Sequence, residues 1–149
     1  MSGRAVDSGL YIIWMRLPVE TRVPIGALGD IAFSEGLYAY VGSAQRHRQA
    51  RIRRHLRRDK PKRWHIDYLR PHADVVSVTL CDGKKADECR LVKWLIESLG
   101  AVRACPGFGA SDCGCGGHLL VAPEQALYSV TRGIGWPSGT CFMAMELMQ

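Results

Sequence analysis

The chain has 149 residues, 47% apolar and 23% charged, which suits one domain with a full hydrophobic core and excludes a disordered chain. Its net charge of +6 points to polyanions such as nucleic acid. No stretch approaches the ~20 apolar residues of a membrane span and residues 1–7 lack the apolar centre of a signal peptide, so a cytoplasmic chain is expected, with its six cysteines free or metal-bound rather than bridged.

Residues 9–17, GLYIIWMRL, are β-branched and aromatic and read as a buried strand closed by Pro18. Residues 24–36 are glycine-rich and read as a loop with room for a short strand. Residues 37–43, LYAYVGS, are the next strand. Tyr38 and Tyr40, two apart, face one side of it. From Gln45 to Arg58 good helix formers run uninterrupted by Gly or Pro, with Ile52 and Leu56 as a narrow buried stripe. Pro61 ends that unit. WHIDYL at 64–69 fits a short helix or a strand. DVVSVTLC at 74–81 is a strand ending at the Asp82-Gly83 turn. Residues 86–99 repeat leucine at Leu91, Leu95 and Leu99 and predict a helix stopped by Gly100. Residues 105–117 form a Gly/Cys-rich loop and HLLVA at 118–122 a short strand. Pro123 opens a helix to about Arg132, and the apolar tail at 140–148 closes the fold as strand or helix. No repeat or linker divides residues 1–149, so a single domain is expected.

Between residues 46 and 63 lie Arg46, Arg48, Arg51, Arg53, Arg54, Arg57, Arg58, Lys60, Lys62 and Arg63, ten of the chain's twenty basic residues. Guanidinium groups pair phosphate oxygens bidentately, and a cluster on one helix makes a track for a phosphate backbone. Ser43, Arg46, Arg48, Arg54, Arg58 and Lys62 are the expected nucleic-acid contacts.

Gly9-Leu10-Tyr11 resembles the GIY element of GIY-YIG nucleases, and Tyr40-Val41-Gly42-Ser43-Ala44 resembles their YIG element. Arg51 and His55, four apart on the next helix, are similar to the family's catalytic Arg and the Tyr or His one turn later. Glu88, near the start of the following strong helix, stands where the family places its metal-binding glutamate. The resemblance is closest to a small GIY-YIG-like family of archaeal and bacterial proteins marked by Gly42-Ser43-Ala44, Arg54-His55-Leu56, Trp64 to Leu69, Glu88-Cys89 and Gly107 to Leu119. It covers nearly the whole chain. It implies an α+β fold with a small antiparallel sheet of about three strands flanked by helices, plus a C-terminal extension. It also implies metal-dependent phosphodiester hydrolysis of nucleic acid, DNA favoured over RNA. The catalytic set is then Tyr11, Tyr40, Arg51, His55 and Glu88. Glu88 holds Mg²⁺ or Mn²⁺, Arg51 stabilises transition-state charge, and a tyrosine or His55 deprotonates the water. Three departures stand out. Tyr11 and Tyr40 are 29 residues apart, longer than in compact nucleases, so residues 18–36 form an insertion or extended hairpin. The chain has no asparagine, where many of the nucleases use one after the glutamate helix. Ser43 replaces the lysine that often follows the YIG glycine.

Cys105, Cys113, Cys115 and His118 fall within fourteen residues and could bind zinc tetrahedrally, although C-x-C-x-x-H is not a standard finger spacing. Ser111, Asp112 and His118 could instead face a substrate from the site's rim. His65 and Asp67 read as supporting hydrogen-bond partners, and Trp64 or Tyr68 as stacking surfaces for a base. Two alternatives to an endonuclease are a non-catalytic nucleic-acid-binding module on the same scaffold and a zinc-stabilised interaction domain.

Overall fold

A computed structural model describes residues 7–109, 116–130, 136 and 141–148. Two long strands, β1 (Gly9–Leu17) and β4 (Gly36–Ala44), pair antiparallel over their full length, from Gly9 opposite Ala44 to Leu17 opposite Gly36. On the other side of β1 lies β5 (Asp74–Cys81), also antiparallel, with a register shift between Trp14 and Met15. These three strands are the expected centre. The sheet is larger than expected, however, because both edges are extended. β7 (Leu119–Ala122) and β6 (Val102–Arg103) continue beyond β4, and β8 (Cys141–Met143) continues beyond β5, giving the six-strand order β6-β7-β4-β1-β5-β8. Pairing of the C-terminal tail could not be read from its own composition, since the partner that selects it is sixty residues away.

The segment between β1 and β4 is a separate two-stranded hairpin, β2 (Thr21–Pro24) with β3 (Asp30–Phe33), as an extended hairpin requires. Its Val23 and Phe33 pack into the core.

Period-two alternation splits the central sheet into two apolar faces. Tyr11, Ile13, Met15, Leu17, Tyr38 and Tyr40 join Ile52, Ile66 and Leu69 on one face. Those three come from α1 (Arg48–Leu56) and α2 (His65–Leu69), so WHIDYL resolves as helix. Leu10, Ile12, Trp14, Leu37, Ala39 and Val41 meet Leu91, Val92 and Leu95 of α3 (Glu88–Leu99) on the other. Gly100 stops α3 at φ 80°, a left-handed cap that glycine adopts without a Cβ penalty. The helix after Pro123 starts later than expected: α4 spans Ala126–Ser129, and its expected end near Arg132 lies outside the described residues.

Helix α1 starts later than its composition suggests. His47 takes a left-handed φ of 57°, and Asp7 caps the helix from a distance: its backbone carbonyl accepts Arg48 N–H and its carboxylate accepts Gln49 N–H at 2.9 Å. At the other end Lys60 Nζ donates to the His55 carbonyl at 2.7 Å and to that of Arg57, satisfying carbonyls the helix leaves open.

Cys81 and Cys141, opposite one another in the β5–β8 ladder, form a disulfide. The expectation of unbridged thiols is corrected here. Among the described residues Cys105 is the free thiol, and it is buried. No helix is long and apolar enough to cross a membrane among the described residues.

Candidate active site

Tyr11 stands opposite Gly42 in the β1–β4 register, and Tyr40 is two residues before that glycine on the same face. A Cβ on Gly42 would lie 2.5 Å from the Tyr11 hydroxyl, so the tyrosine ring occupies the space any side chain would need. The glycine in the Y-x-G motif is thus a steric requirement of Tyr11.

Helix α1 runs across this face and turns Arg51 and His55, one turn apart, toward the tyrosines. His55 is only 2% exposed, and its Nε2 lies 2.9 Å from the Tyr11 hydroxyl. Its ring also packs 5.7 Å from Tyr40 and 5.2 Å from Trp64. Burial pulls the imidazole pKa down to about 3, with Lys60, Arg54 and Arg51 adding to the shift against a pull from Asp67, so His55 is neutral and its Nε2 can accept the Tyr11 hydroxyl's hydrogen bond. Burial pushes the Tyr11 phenol well above its ordinary value, with Tyr40 and Glu88 pushing the same way and Arg51 opposing. Burial likewise raises Tyr40.

Glu88 arrives from the opposite face of the sheet. It is the first residue of α3, and the two faces meet at Ser43 near the end of β4. The Ser43 hydroxyl donates to the Glu88 carboxylate, while its backbone carbonyl accepts Arg51 Nη1 at 2.9 Å. One residue therefore ties the guanidinium on α1 to the carboxylate on α3. His118, just before β7 and 1% exposed, approaches the same carboxylate, its Nδ1 3.2 Å from Oε1. Its Nε2 lies 3.7 Å from Cys89 Sγ.

These groups line one cavity of about 880 Å³. Tyr11, Tyr40, Ser43, Arg51, His55 and Glu88 all contribute to its wall. The five residues expected to be catalytic are thus brought together, as are Ser43 and Arg46 from the expected contact set and His65 and His118 from the expected rim.

The remaining basic residues do not form one track. Arg48 is 6% exposed and donates to the Leu10 carbonyl at 3.0 Å, so a phosphate contact from it is ruled out by burial. Arg54 pairs bidentately with Asp67, both distances 3.2 Å. Arg58 bonds the Pro71 carbonyl and Asp74, and Lys62 sits 6.0 Å from the Tyr68 ring. Neither lines the cavity.

Asp67 is structural. Burial alone would raise its pKa, but N–H donors from Trp64 and Arg63 and the Arg54 guanidinium outweigh it and hold the carboxyl below its usual range. His65 Nδ1 accepts the Gly109 N–H at 2.8 Å and so anchors the start of the Gly/Cys loop to α2.

Of the four expected zinc ligands, Cys105 and His118 lie among the described residues. Cys105 is buried with its sulfur directed to the Pro106 carbonyl, and His118 turns to Glu88 and Cys89 instead. Cys113, Cys115, Ser111 and Asp112 lie outside the described residues. Among the described residues no group of three or more His, Cys, Asp or Glu converges as a metal cage.

Sequence reasoning missed Cys89, Gln45, Arg63 and Lys85 as wall residues. Cys89 carried a signal, since it directly follows Glu88 at the head of a helix. Trp64, a stacking candidate, also lines the cavity, with the Arg54, Arg63 and Arg51 guanidinium carbons 4.5, 5.5 and 5.6 Å from its ring.

A family model spanning residues 10–134, from β1 through the cavity wall and past β7, matches this sequence. The chain belongs to the family described as domain of unknown function DUF123. Every cavity residue named above falls within the DUF123 match. Comparisons with curated proteins and with solved structures return no match.

Proposed function

We propose that this DUF123 domain is a metal-dependent phosphodiesterase acting on nucleic acid, an endonuclease of the GIY-YIG type that its motifs resemble. The observation that carries the reading is the Ser43 bridge, which sets the Arg51 guanidinium and the Glu88 carboxylate on one cavity wall beside the Tyr11–His55 pair.

The scissile phosphate enters the cavity and pairs with Arg51, which offsets the negative charge that grows on the phosphoryl oxygens. As the water oxygen bonds to phosphorus, the water passes a proton to the Tyr11 oxygen and Tyr11 releases its own to His55 Nε2, while the bond from phosphorus to the leaving sugar oxygen breaks and that oxygen takes a proton from solvent. Neutral His55 has the open lone pair this needs, although burial makes it a weak base; the incoming anionic phosphate raises its basicity by offsetting the nearby guanidiniums. Tyr40 and Trp64 wall the pair from bulk water.

Glu88 offers a hard oxygen donor at the cavity wall, which fits Mg²⁺ or Mn²⁺ ions that keep most of their waters. Bound there, such an ion supplies further charge stabilisation at the phosphate. A soft ligand is not on offer at the same place, because the Cys89 sulfur is disulfide-bonded.

The test is incubation of the protein with single-stranded, duplex and branched DNA and with RNA, in Mg²⁺ or Mn²⁺. Cleavage is expected, reduced on the order of a hundredfold or more by Arg51→Ala and by Glu88→Gln. Cleavage that survives either change overturns the site. One observation favours a non-catalytic binding module instead: Glu88 already accepts the Ser43 hydroxyl and has His118 Nδ1 3.2 Å from its carboxylate. That module binds nucleic acid in a salt-sensitive way and cuts under no metal.

A further inference from the structure

A second, smaller groove of about 290 Å³ adjoins the cavity. It is lined by Ser8, Gly9, Gly83, Lys84 and Lys85 and shares Ser43, Gln45 and Lys85 with the main cavity. The two hollows are therefore neighbours across Ser43, the residue that ties Arg51 to Glu88.

Its electrostatics favour an anion. Lys84 and Lys85 are exposed and belong to the turn that leads into α3, a twelve-residue helix whose amide dipoles point their positive end this way. Arg48 backs the groove: its Nη1 lies 2.7 Å from where a Cβ on Gly9 would sit. The acids nearby are largely answered. Asp87 accepts the Lys84 N–H at 2.8 Å and Arg90 Nη1 at 3.0 Å, while Asp7 and Asp82 act on Arg48.

We propose that this groove is a second backbone-phosphate subsite, which takes the phosphate next to the one in the main cavity. The inference rests on the nucleic-acid reading of the cavity, and it narrows the ligand class. The ligand is a strand with at least two consecutive phosphates rather than a mononucleotide or a small diester. The strand crosses Ser43, with one phosphate at Arg51 and the next at Lys84 and Lys85.

Binding alone tests it, so hydrolysis is not needed. A labelled single-stranded oligonucleotide is titrated with the protein in EDTA at increasing salt. Lys84→Ala/Lys85→Ala is expected to make the plot of log affinity against log salt shallower by about 0.7, the share of one single-strand phosphate. Lys93→Ala removes an exposed lysine of α3 that lines neither hollow and is expected to leave the slope unchanged. A double variant with the wild-type slope, or an equal loss in Lys93→Ala, overturns the subsite. Matching thermal melts of the three proteins show that the exposed lysines were not holding the fold. If the slope falls but no metal supports cutting, the subsite stands and the hydrolytic reading fails. If cutting occurs and the slope does not change, the reverse holds.

Discussion

Helix α1 and the residues on either side of it carry cations of two kinds, and their surroundings differ more than their chemistry. Arg48, Arg54, Arg58 and Lys60 end on backbone carbonyls or on carboxylates. Arg46, Arg51 and Arg63 line the cavity, where Arg51 also donates to the Ser43 carbonyl on its wall. A dense like-charged run is costly in isolation, and this chain relieves the cost by turning part of the run inward as struts. The charge in sequence thus overstates the size of the binding surface. The cavity group faces the hollow, Arg53, Arg57 and Lys62 are exposed outside it, and the inward group fixes where Arg51 and His55 sit.

The strut group is tested at Asp67, whose side chain is fully buried and faces Arg54 at 3.2 Å and Lys60 at 3.8 Å. Asp67→Ala leaves two cations without their acid and two N–H groups of the α2 start without an acceptor. The expected loss is about 3–5 kcal/mol, the cost of breaking a buried pair, read as a fall in the urea midpoint. A loss under about 1 kcal/mol would show that solvent reaches the cluster and that the division between strut and cavity cations is wrong.

The next effect is smaller and depends on pH. His55 is neutral in the fold down to about pH 3, whereas an unfolded histidine titrates near 6.5. The unfolded chain therefore binds the extra proton between those values, and stability falls as pH drops from about 6.5 toward 3. Above 6.5 this contribution is fully in the fold's favour. The slope is about 1.4 kcal/mol per pH unit at its steepest. His55→Gln, which does not titrate, is expected to flatten stability against pH in that window. Asp67 acts in the same sense but lower: its folded pKa is depressed, so its contribution is present above the usual carboxyl range and is lost as pH falls through the folded value. If His55→Gln keeps the wild-type slope between pH 6 and 4, His55 is not the buried neutral base described here.

Much of this arrangement could be read before the structure was known. The β1 and β4 strands, the α1 helix and the Leu91/Leu95 face of α3 follow from local period and composition. The five cavity residues followed from the order of motifs. What sequence could not give was direction. His55 is as polar as its neighbours, yet helix phase buries it beside Ile52. The same phase hides Arg48, and nothing in its type separates it from Arg51. The Cys81–Cys141 bridge joins residues sixty apart that meet only when the tail adds a strand. Cys89 and His118 meet because α3 and β7 converge at one end of the sheet. That is a tertiary fact without a local signature.

The finest test of the division compares two exposed arginines of the same run. Arg46 lines the cavity, while Arg58 is paired with Asp74 at 2.7 Å, both side chains more than half exposed. Their charge and solvation are alike, so a purely non-specific attraction would weigh them equally. The site described here does not. Arg46→Ala is expected to weaken oligonucleotide binding and to reduce the salt slope by roughly 0.7–0.9, one phosphate's share. Arg58→Ala is expected to leave the slope unchanged and to cost the fold less than about 1 kcal/mol, as exposed ion pairs do. Equal slopes for the two variants would mean that the basic run acts as a diffuse cloud, and that the cavity has no privileged claim on the phosphate.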